Sequence, residues 1–364
     1  MAATMYVNLQ NIKYNLEKIK EKINNNVAII AMVKANAYGL GDIEVCNFLI
    51  KSGVSSLGVA IVDEGVHLRK NSIVSDILVT SQFLQDDIKN ILDYNLTVSV
   101  SNMELLKLLN EQAFKQNKKA KIHIKVDTGM TRLGFNINEI LINVQYIENN
   151  LSNILIDGIY THLSSADTDN EYTLEQLTSF DSIVNSLLEN GYTFKYIHAL
   201  NSSGLLKYSK YAYNAIRIGI ILYGYYPDKS LRSSISIKPT VKITAPVINI
   251  REITSGCSIG YSRTFKSTTN MKIATIQIGY ADGLDRKLSN KVDVYINNIP
   301  CRIVGSICMD MCMIDVSNIP SIQLGDYCTI LDYDDGIYKF ANIIGTINYE
   351  IISRISSRVK RLYI

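Results

Sequence analysis

Lys34 ends an apolar run, where Val27-Ala-Ile-Ile-Ala-Met-Val33 gives way to Lys34-Ala-Asn-Ala-Tyr38-Gly-Leu-Gly41. A lysine at the end of a buried strand either snorkels to solvent or works in a partly desolvated site. Desolvation disfavours its ammonium form, and the neutral amine is what Schiff-base chemistry needs. The small residues that follow let a planar ligand approach closely. Arg132 stands in the polar turn Val126-Asp127-Thr-Gly-Met-Thr-Arg132-Leu-Gly134, a forked cation suited to a carboxylate and equally at home as a solvated loop residue. Tyr160-Thr-His162 closes another apolar run. Leu200-Asn201-Ser202-Ser203-Gly204 opens a helix, as an ordinary N-cap or as a seat for phosphate. Arg217 lies inside Ala215-Ile-Arg-Ile218, ahead of Gly219-Ile220-Ile-Leu-Tyr-Gly224. A buried guanidinium is costly unless something planar or anionic meets it.

The elements that must position these residues alternate between two periods. Ile12, Leu16, Ile19 and Ile23 recur at helical spacing, and residues 27–33 then read as a strand buried on both faces. Further strands are expected at 57–60, 76–80, 97–100, 121–126, 155–160, 196–200 and 215–218. Helical stretches separate them near 42–52, 63–70, 86–93, 103–115, 139–147, 173–190 and 203–208. Strands and helices alternating in this way fit an α/β (β/α)8 barrel of the TIM type, whose reactive face lies at the C-terminal ends of its strands. A doubly wound sheet would carry a GxGxxG after its first strand, which is absent. After about Leu231 the pattern becomes short β runs at 240–250, 271–278, 292–296, 302–304, 313–316 and 328–331, with a helix only near 340–344. This predicts a barrel over 10–230 and a mainly antiparallel β domain over 231–364, joined by the N-terminal segment 1–9.

Composition narrows the function classes. Lys and Arg total 37 against 34 Asp and Glu, a net charge of +3, which is no basic field for nucleic acid or an acidic membrane. No run of about 18 apolar residues spans a bilayer. Met1-Ala2-Ala3-Thr4-Met5-Tyr6 has no basic segment leading into an apolar one, so no signal peptide is read. The six cysteines form no framework, and the four histidines are scattered. Cys308 and Cys312 have no neighbours to complete a ligand set, so no metal is expected.

Ala31-Met-Val-Lys34-Ala-Asn-Ala-Tyr38-Gly resembles the pyridoxal-phosphate lysine motif of alanine racemases. Lys125-Val-Asp-Thr-Gly-Met-Thr-Arg132-Leu-Gly, Thr161-His162, Asn201-Ser202-Ser and Arg217-Ile-Gly-Ile-Ile-Leu-Tyr-Gly resemble that family's later barrel motifs, in the same order. Gly260-Tyr261-Ser-Arg-Thr-Phe, Ile278-Gly-Tyr280-Ala-Asp-Gly283, Ile307-Cys-Met309-Asp310 and Thr346-Ile-Asn-Tyr349-Glu350 continue the likeness to about Tyr363.

The resemblance implies a pyridoxal 5'-phosphate-dependent isomerase. It would interconvert L- and D-alanine for the cell wall, as a cytoplasmic homodimer whose subunits share their sites. Lys34 would hold the cofactor and transfer one proton, and Tyr261 from the other subunit would transfer the second. Tyr38, Asn201, Ser202, Gly219, Ile220 and Tyr349 would bind the cofactor, mainly at its phosphate. His162 would link Tyr261 to Arg217, which would face the pyridine nitrogen. Arg132, Met309 and Tyr280 would meet the substrate, supported by Asp310 and by Lys125 in a free or carbamylated form. The family's Trp-Ala-Glu-Ile near the start is replaced by Met5-Tyr-Val-Asn-Leu9, and Ser306 stands where many relatives have an arginine. The alternative is a serine racemase of the glycopeptide-resistance type, the cytoplasm-facing catalytic half of a longer membrane protein. A PLP decarboxylase would place an acidic residue where Arg217 stands, and a PLP carrier protein would lack the β domain.

Overall fold

In the computed structural model, which describes residues 3–364, the alternating apolar runs form a parallel barrel and the later short runs form an antiparallel sheet. Met1 and Ala2, where the reading of the N-terminus begins, lie outside the described residues. The chain divides into two units. One is Met1–Ile12, Tyr38–Gly41 and Lys238–Ile364; the other is Lys13–Ala37 and Asp42–Ile237.

After β1 (Thr4–Val7), the barrel unit runs through β2 (Ala28–Met32), β3 (Ser56–Val59), β4 (Asp76–Val79), β5 (Thr97–Val100) and β6 (Ala120–Asp127). A two-residue β7 (Phe135–Asn136) precedes β8 (Ile154–Tyr160), β9 (Tyr196–His198) and β10 (Ala215–Ile218). The strands pair in parallel in the order β10-β2-β3-β4-β5-β6-β8-β9, with β7 added on β6. The seam between β9 and β10 is stitched by Arg217 N–H donating to Leu200 O at 3.0 Å and by Ile197 N–H donating to Asn214 Oδ1 at 2.6 Å. Helices follow the strands and bury one face each. Met103–Lys115 turns Leu106, Leu109 and Ala113 inward, and its cap Asn102 accepts from Leu105 N–H. Asn170–Glu189 buries Leu177, Phe180, Val184 and Leu187 behind the cap Asp169. Each such side chain contributes about 1.5–3 kcal/mol through removal from water.

The barrel interior is not the layered aliphatic core usual for this architecture. Along β6, Ile122, Ile124 and Val126 alternate with His123, Lys125 and Asp127, and His123 and Lys125 are buried. Ser99, Tyr160, His198 and Arg217 are buried as well, and Ser99 Oγ lies 2.7 Å from the Tyr160 hydroxyl. Such groups are costly unless bonded, and Ser99 bonds Tyr160 while His123, His198 and Arg217 bond in sequence.

The other unit contains β1, β11 (Val241–Ile253), the ribbon β12 (Ser258–Ile259) and β13 (Phe265–Lys266), and β14 (Met271–Ile276). It continues with β15 (Asp293–Ile296), β16 (Ile299–Arg302), β17 (Cys312–Asp315), β18 (Tyr327–Leu331) and β19 (Lys360–Tyr363). The sheet order is β16-β15-β18-β11-β1-β19, with β14 joining β11 to β17. Every pairing is antiparallel except β1 with β19. One expected strand is displaced: the run read at 302–304 is β16, ending at Arg302, and Ile303 makes only an isolated bridge to Ile314. The hairpin turn Asn297-Asn298, both residues with positive φ, sets that register. Elements with no reading in the sequence include β1, the two-residue strands β7, β12 and β13, the helix Asn348–Ser353 and β19. Among the described residues no helix is long and apolar enough to cross a membrane.

Candidate active site

Lys34 follows β2 by two residues and opens a turn of the wrong hand. Ala35, Asn36, Ala37 and Tyr38 have φ of 52°, 55°, 50° and 57°, consecutive left-handed residues with no glycine among them. Each costs roughly 1–2 kcal/mol for an L-residue, so the turn needs outside ties. Glu64 provides one: its Oε1 accepts from Ala35 N–H at 2.6 Å, and its Oε2 accepts from Ala60 N–H at 2.7 Å. Ala37 N–H donates to Val33 O at 2.8 Å, and Asn36 Oδ1 accepts from Asp42 N–H at 2.9 Å. The half-buried Lys34 amine is held below its ordinary pKa by desolvation and then by the Arg132 guanidinium; Glu64 pulls the other way and Arg217 adds to the lowering.

The Arg132 loop is fixed by Asp127, whose Oδ1 accepts from Gly129 N–H at 2.9 Å and Thr131 N–H at 3.0 Å. Gly134, at φ 143°, passes so close to Asp127 that a Cβ there would sit 2.3 Å from its backbone nitrogen. Arg132 itself is exposed. The side chain of Lys125, a residue 4 % exposed, makes no hydrogen bond among the described residues, and its Nζ lies 5.6 Å from the Tyr160 ring centroid. Burial, with Arg132 and Arg217 beside it, pushes its pKa down to about 8.

Arg217, also 4 % exposed, is the most heavily bonded group of the site. Nη1 donates to His198 Nδ1 at 2.6 Å and to His198 O at 3.2 Å. Nη2 donates to Thr161 O at 2.7 Å, His162 Nδ1 at 3.1 Å and Ala199 O at 3.2 Å. The guanidinium carbon lies 4.8 Å from the Tyr160 ring centroid, and burial lowers the arginine pKa to about 10. His162 is driven well below the usual imidazole range by burial and by Arg217. Asn201 caps the helix Ser202–Tyr208 by accepting from Gly204 N–H at 2.9 Å, and Ser202 Oγ accepts from Gly219 N–H at 3.2 Å. Gly219 and Ile220 begin the turn that leaves β10 and are buried.

The barrel unit thus brings together Lys34, Lys125, Arg132, His162, Asn201, Ser202, Arg217, Gly219 and Ile220. The remaining expected residues belong to the other unit. There the Tyr38 and Tyr349 rings lie 6.2 Å apart. Tyr280 and Met309 are exposed and held side by side, since Tyr280 N–H donates to Cys308 O and Ala281 N–H to Met309 O, each at 3.0 Å. Asp310 pairs with Arg358 at 2.8 Å, and Arg358 also reaches the buried Asp282 at 3.1 Å. Tyr261, 70 % exposed, starts a short turn after Gly260 and lines a groove of about 650 Å3 with Ile248, Met311 and Met313. Ser306, buried, donates to Tyr261 O at 3.2 Å and so fixes that turn.

Glu64, His123 and His198 went unread in the sequence. The alternation Lys121-Ile-His123-Ile-Lys125-Val was the available signal for His123: a strand covered on its outer side by helices can place alternate polar residues only inside. Nothing local marks Glu64, whose partner Ala35 lies 29 residues away.

A parallel barrel gathering several cations and one carboxylate around a partly desolvated lysine defines a class of site suited to an anionic ligand at the strand ends. Residues 7–227 match the alanine racemase N-terminal domain and residues 240–363 the alanine racemase C-terminal domain. The alanine racemase 1 of Clostridium acetobutylicum is 38 % identical over 98 % of this chain and 94 % of its own length. The alanine racemase of Clostridium difficile 630 has a solved structure with a TM-score of 0.96 at 33 % identity, over 100 % of this chain and 96 % of that one. That of Bartonella henselae, which carries covalently bound pyridoxal phosphate, has a TM-score of 0.88 at 28 % identity over 100 % of both chains. The chain belongs to the alanine racemase family.

Proposed function

We propose that this protein interconverts L- and D-alanine, with pyridoxal 5'-phosphate held covalently by Lys34. One observation carries the reading: a lysine amine kept below its ordinary pKa at a barrel strand end, among the cations Arg132, Lys125 and Arg217 with Glu64 as counter-charge. That donor set fits a ligand rich in negative charge. When bound, the cofactor supplies an aldehyde for covalent capture of an amine and an electron-withdrawing ring that acidifies the neighbouring Cα–H.

The rest is work for the chain. The Lys34 amine removes or returns the Cα proton on one face, and Tyr261 of the partner subunit does so on the other, since inversion needs a group on each side. A tyrosine with an ordinary pKa near 10 needs positive charge or donated hydrogen bonds to act as a base. In this reading His162 links it to Arg217, which supplies them. Arg217 would face the pyridine nitrogen, and as an always-protonated donor it would give that nitrogen no proton. Tyr38, Asn201, Ser202, Tyr349 and the Gly219 and Ile220 amides would hold the phosphate end. Arg132, Met309 and Tyr280 hold the substrate, with Asp310 behind Met309. Lys125, crowded against like charge, is carbamylated: its neutral amine bonds to CO2 and loses a proton, and the resulting anion pairs with Arg132. The chain works as a cytoplasmic homodimer supplying D-alanine to the cell wall. The exposed apolar groove around Tyr261 supports the pairing. A barrel over 10–230 and a β domain over 231–364, with 1–9 joining the latter, is part of the same reading.

Borohydride reduction of the purified enzyme followed by peptide mapping tests the anchor. The label is expected on Lys34, together with a higher kcat/KM for L-alanine than for L-serine. Label on Lys125, or on no lysine, would sink the assignment; a serine preference would move the substrate.

A further inference from the structure

His198 and His123 extend the Arg217 contact into the barrel. His198 Nδ1 lies 2.6 Å from Arg217 Nη1, and His198 Nε2 lies 2.9 Å from His123 Nδ1. A guanidinium only donates, so His198 Nδ1 must present its lone pair. Burial, then the Arg217 charge, push both imidazoles far below their usual range, and each is a neutral ring with one proton. The His198 proton is therefore on Nε2 and is donated to His123 Nδ1, which leaves the His123 proton on its own Nε2. Every proton of the relay points away from Arg217.

The barrel is shaped to seat the outer ring. Ile122 pairs with Ile156, yet His123 pairs with Gly158, so Asp157 is an extra residue that bulges β8 beside the imidazole. Gly158 is not in the left-handed region. A Cβ on it would lie 2.9 Å from His123 Cε1 and Nε2 and 2.8 Å from Tyr196 O, so the glycine serves clearance. The His123 ring centroid is 5.0 Å from that of His198 and 5.4 Å from that of Tyr196, and His198 stacks on Tyr160 at 4.8 Å and 7°.

We infer that His123 is a positioning residue for Arg217: by accepting the His198 Nε2 proton it locks the tautomer that turns the Nδ1 lone pair onto the guanidinium. The functional consequence rests on the reading that Arg217 faces the cofactor's ring nitrogen. A relay with no proton at its inner end leaves the chain nothing with which to protonate that nitrogen, and the guanidinium keeps one fixed orientation.

The chain has only four histidines, so 15N-histidine labelling of the holoenzyme gives a spectrum in which single substitutions assign each ring. Long-range 15N–1H correlations should show His198 and His123 protonated on Nε2 and bare on Nδ1. His123→Leu removes the acceptor; His198 should lose its single tautomer, and kcat should fall about tenfold or more, the size of stranding a buried donor, with KM little changed. His123→Asn, whose carboxamide oxygen stands near the former Nδ1, should restore the His198 tautomer and most of the lost kcat. If His123→Leu does not fold, Gly158→Ala crowds the ring without removing it and should disturb the same resonances. A wild-type His198 protonated on Nδ1, or a His198 tautomer untouched by loss or crowding of His123, would overturn the lock. The expected spectra with an unaltered kcat in His123→Leu would refute positioning. Failure of the cofactor reading is a separate result, seen as absence of borohydride label on Lys34.

Discussion

Lys125 is a residue whose chemistry is set by its surroundings. Its folded pKa, about 8, lies below the ordinary 10.5. Between those values the unfolded chain binds the proton more readily than the folded one, so stability rises with pH there. As pH falls through 8, the folded protein must accept a charge it has buried beside Arg132 and Arg217, and that part of the stability is lost. In CO2-free buffer, unfolding free energies measured between pH 7 and 10 should rise with pH in the wild type relative to Lys125→Met. Added bicarbonate should flatten the difference by converting the amine to an anion. Identical pH slopes in the two proteins would mean that Lys125 titrates normally.

At the scale of elements, the left-handed turn after Lys34 is strain that the barrel must hold in place. Glu64 bonds the first amide of that turn and the amide of Ala60 past the end of β3, so one carboxylate ties two strand ends together. Glu64→Ala leaves an exposed amide and a half-buried one without their acceptor, and equilibrium urea unfolding should find the variant less stable by about 0.5–1.5 kcal/mol. The same change removes the carboxylate that holds the Lys34 pKa up, so that pKa should fall further. A pH titration of Lys34 acylation rate would register this. A Glu64→Ala protein as stable as the wild type would show that the turn holds itself.

For the whole molecule, the shared site makes a prediction that no single chain can satisfy. Lys34→Ala and Tyr261→Ala homodimers should each be nearly inactive. In a mixed dimer one site inherits both defects and the other has an intact Lys34 and an intact Tyr261. Random reassortment makes half the dimers mixed, each with one good site of two, so co-expression should restore activity to roughly a quarter of wild type. Activity that stays at the background of the separate mutants, despite demonstrated subunit exchange, would place both residues in one chain's site.

Local periodicity determined the alternation of strands and helices through residue 218, because burial on one or both faces writes itself into the spacing of apolar side chains. Lys34, His162 and Arg217 were legible for the complementary reason that they interrupt or end those apolar runs, and Arg132 as a forked cation in a polar turn. Tertiary structure decided the rest. Only closure of the barrel brings His123 to His198, 75 residues away, and makes the polar side of β6 an interior. Only the helix after the neighbouring strand supplies the carboxylate that ties down the left-handed turn Ala35-Asn36-Ala37-Tyr38, which has no glycine. The place of β1 between β11 and β19 likewise rests on partners more than two hundred residues on. Partners so far apart leave no periodic mark on the segments they join, and it is the folded chain that sets which atoms meet.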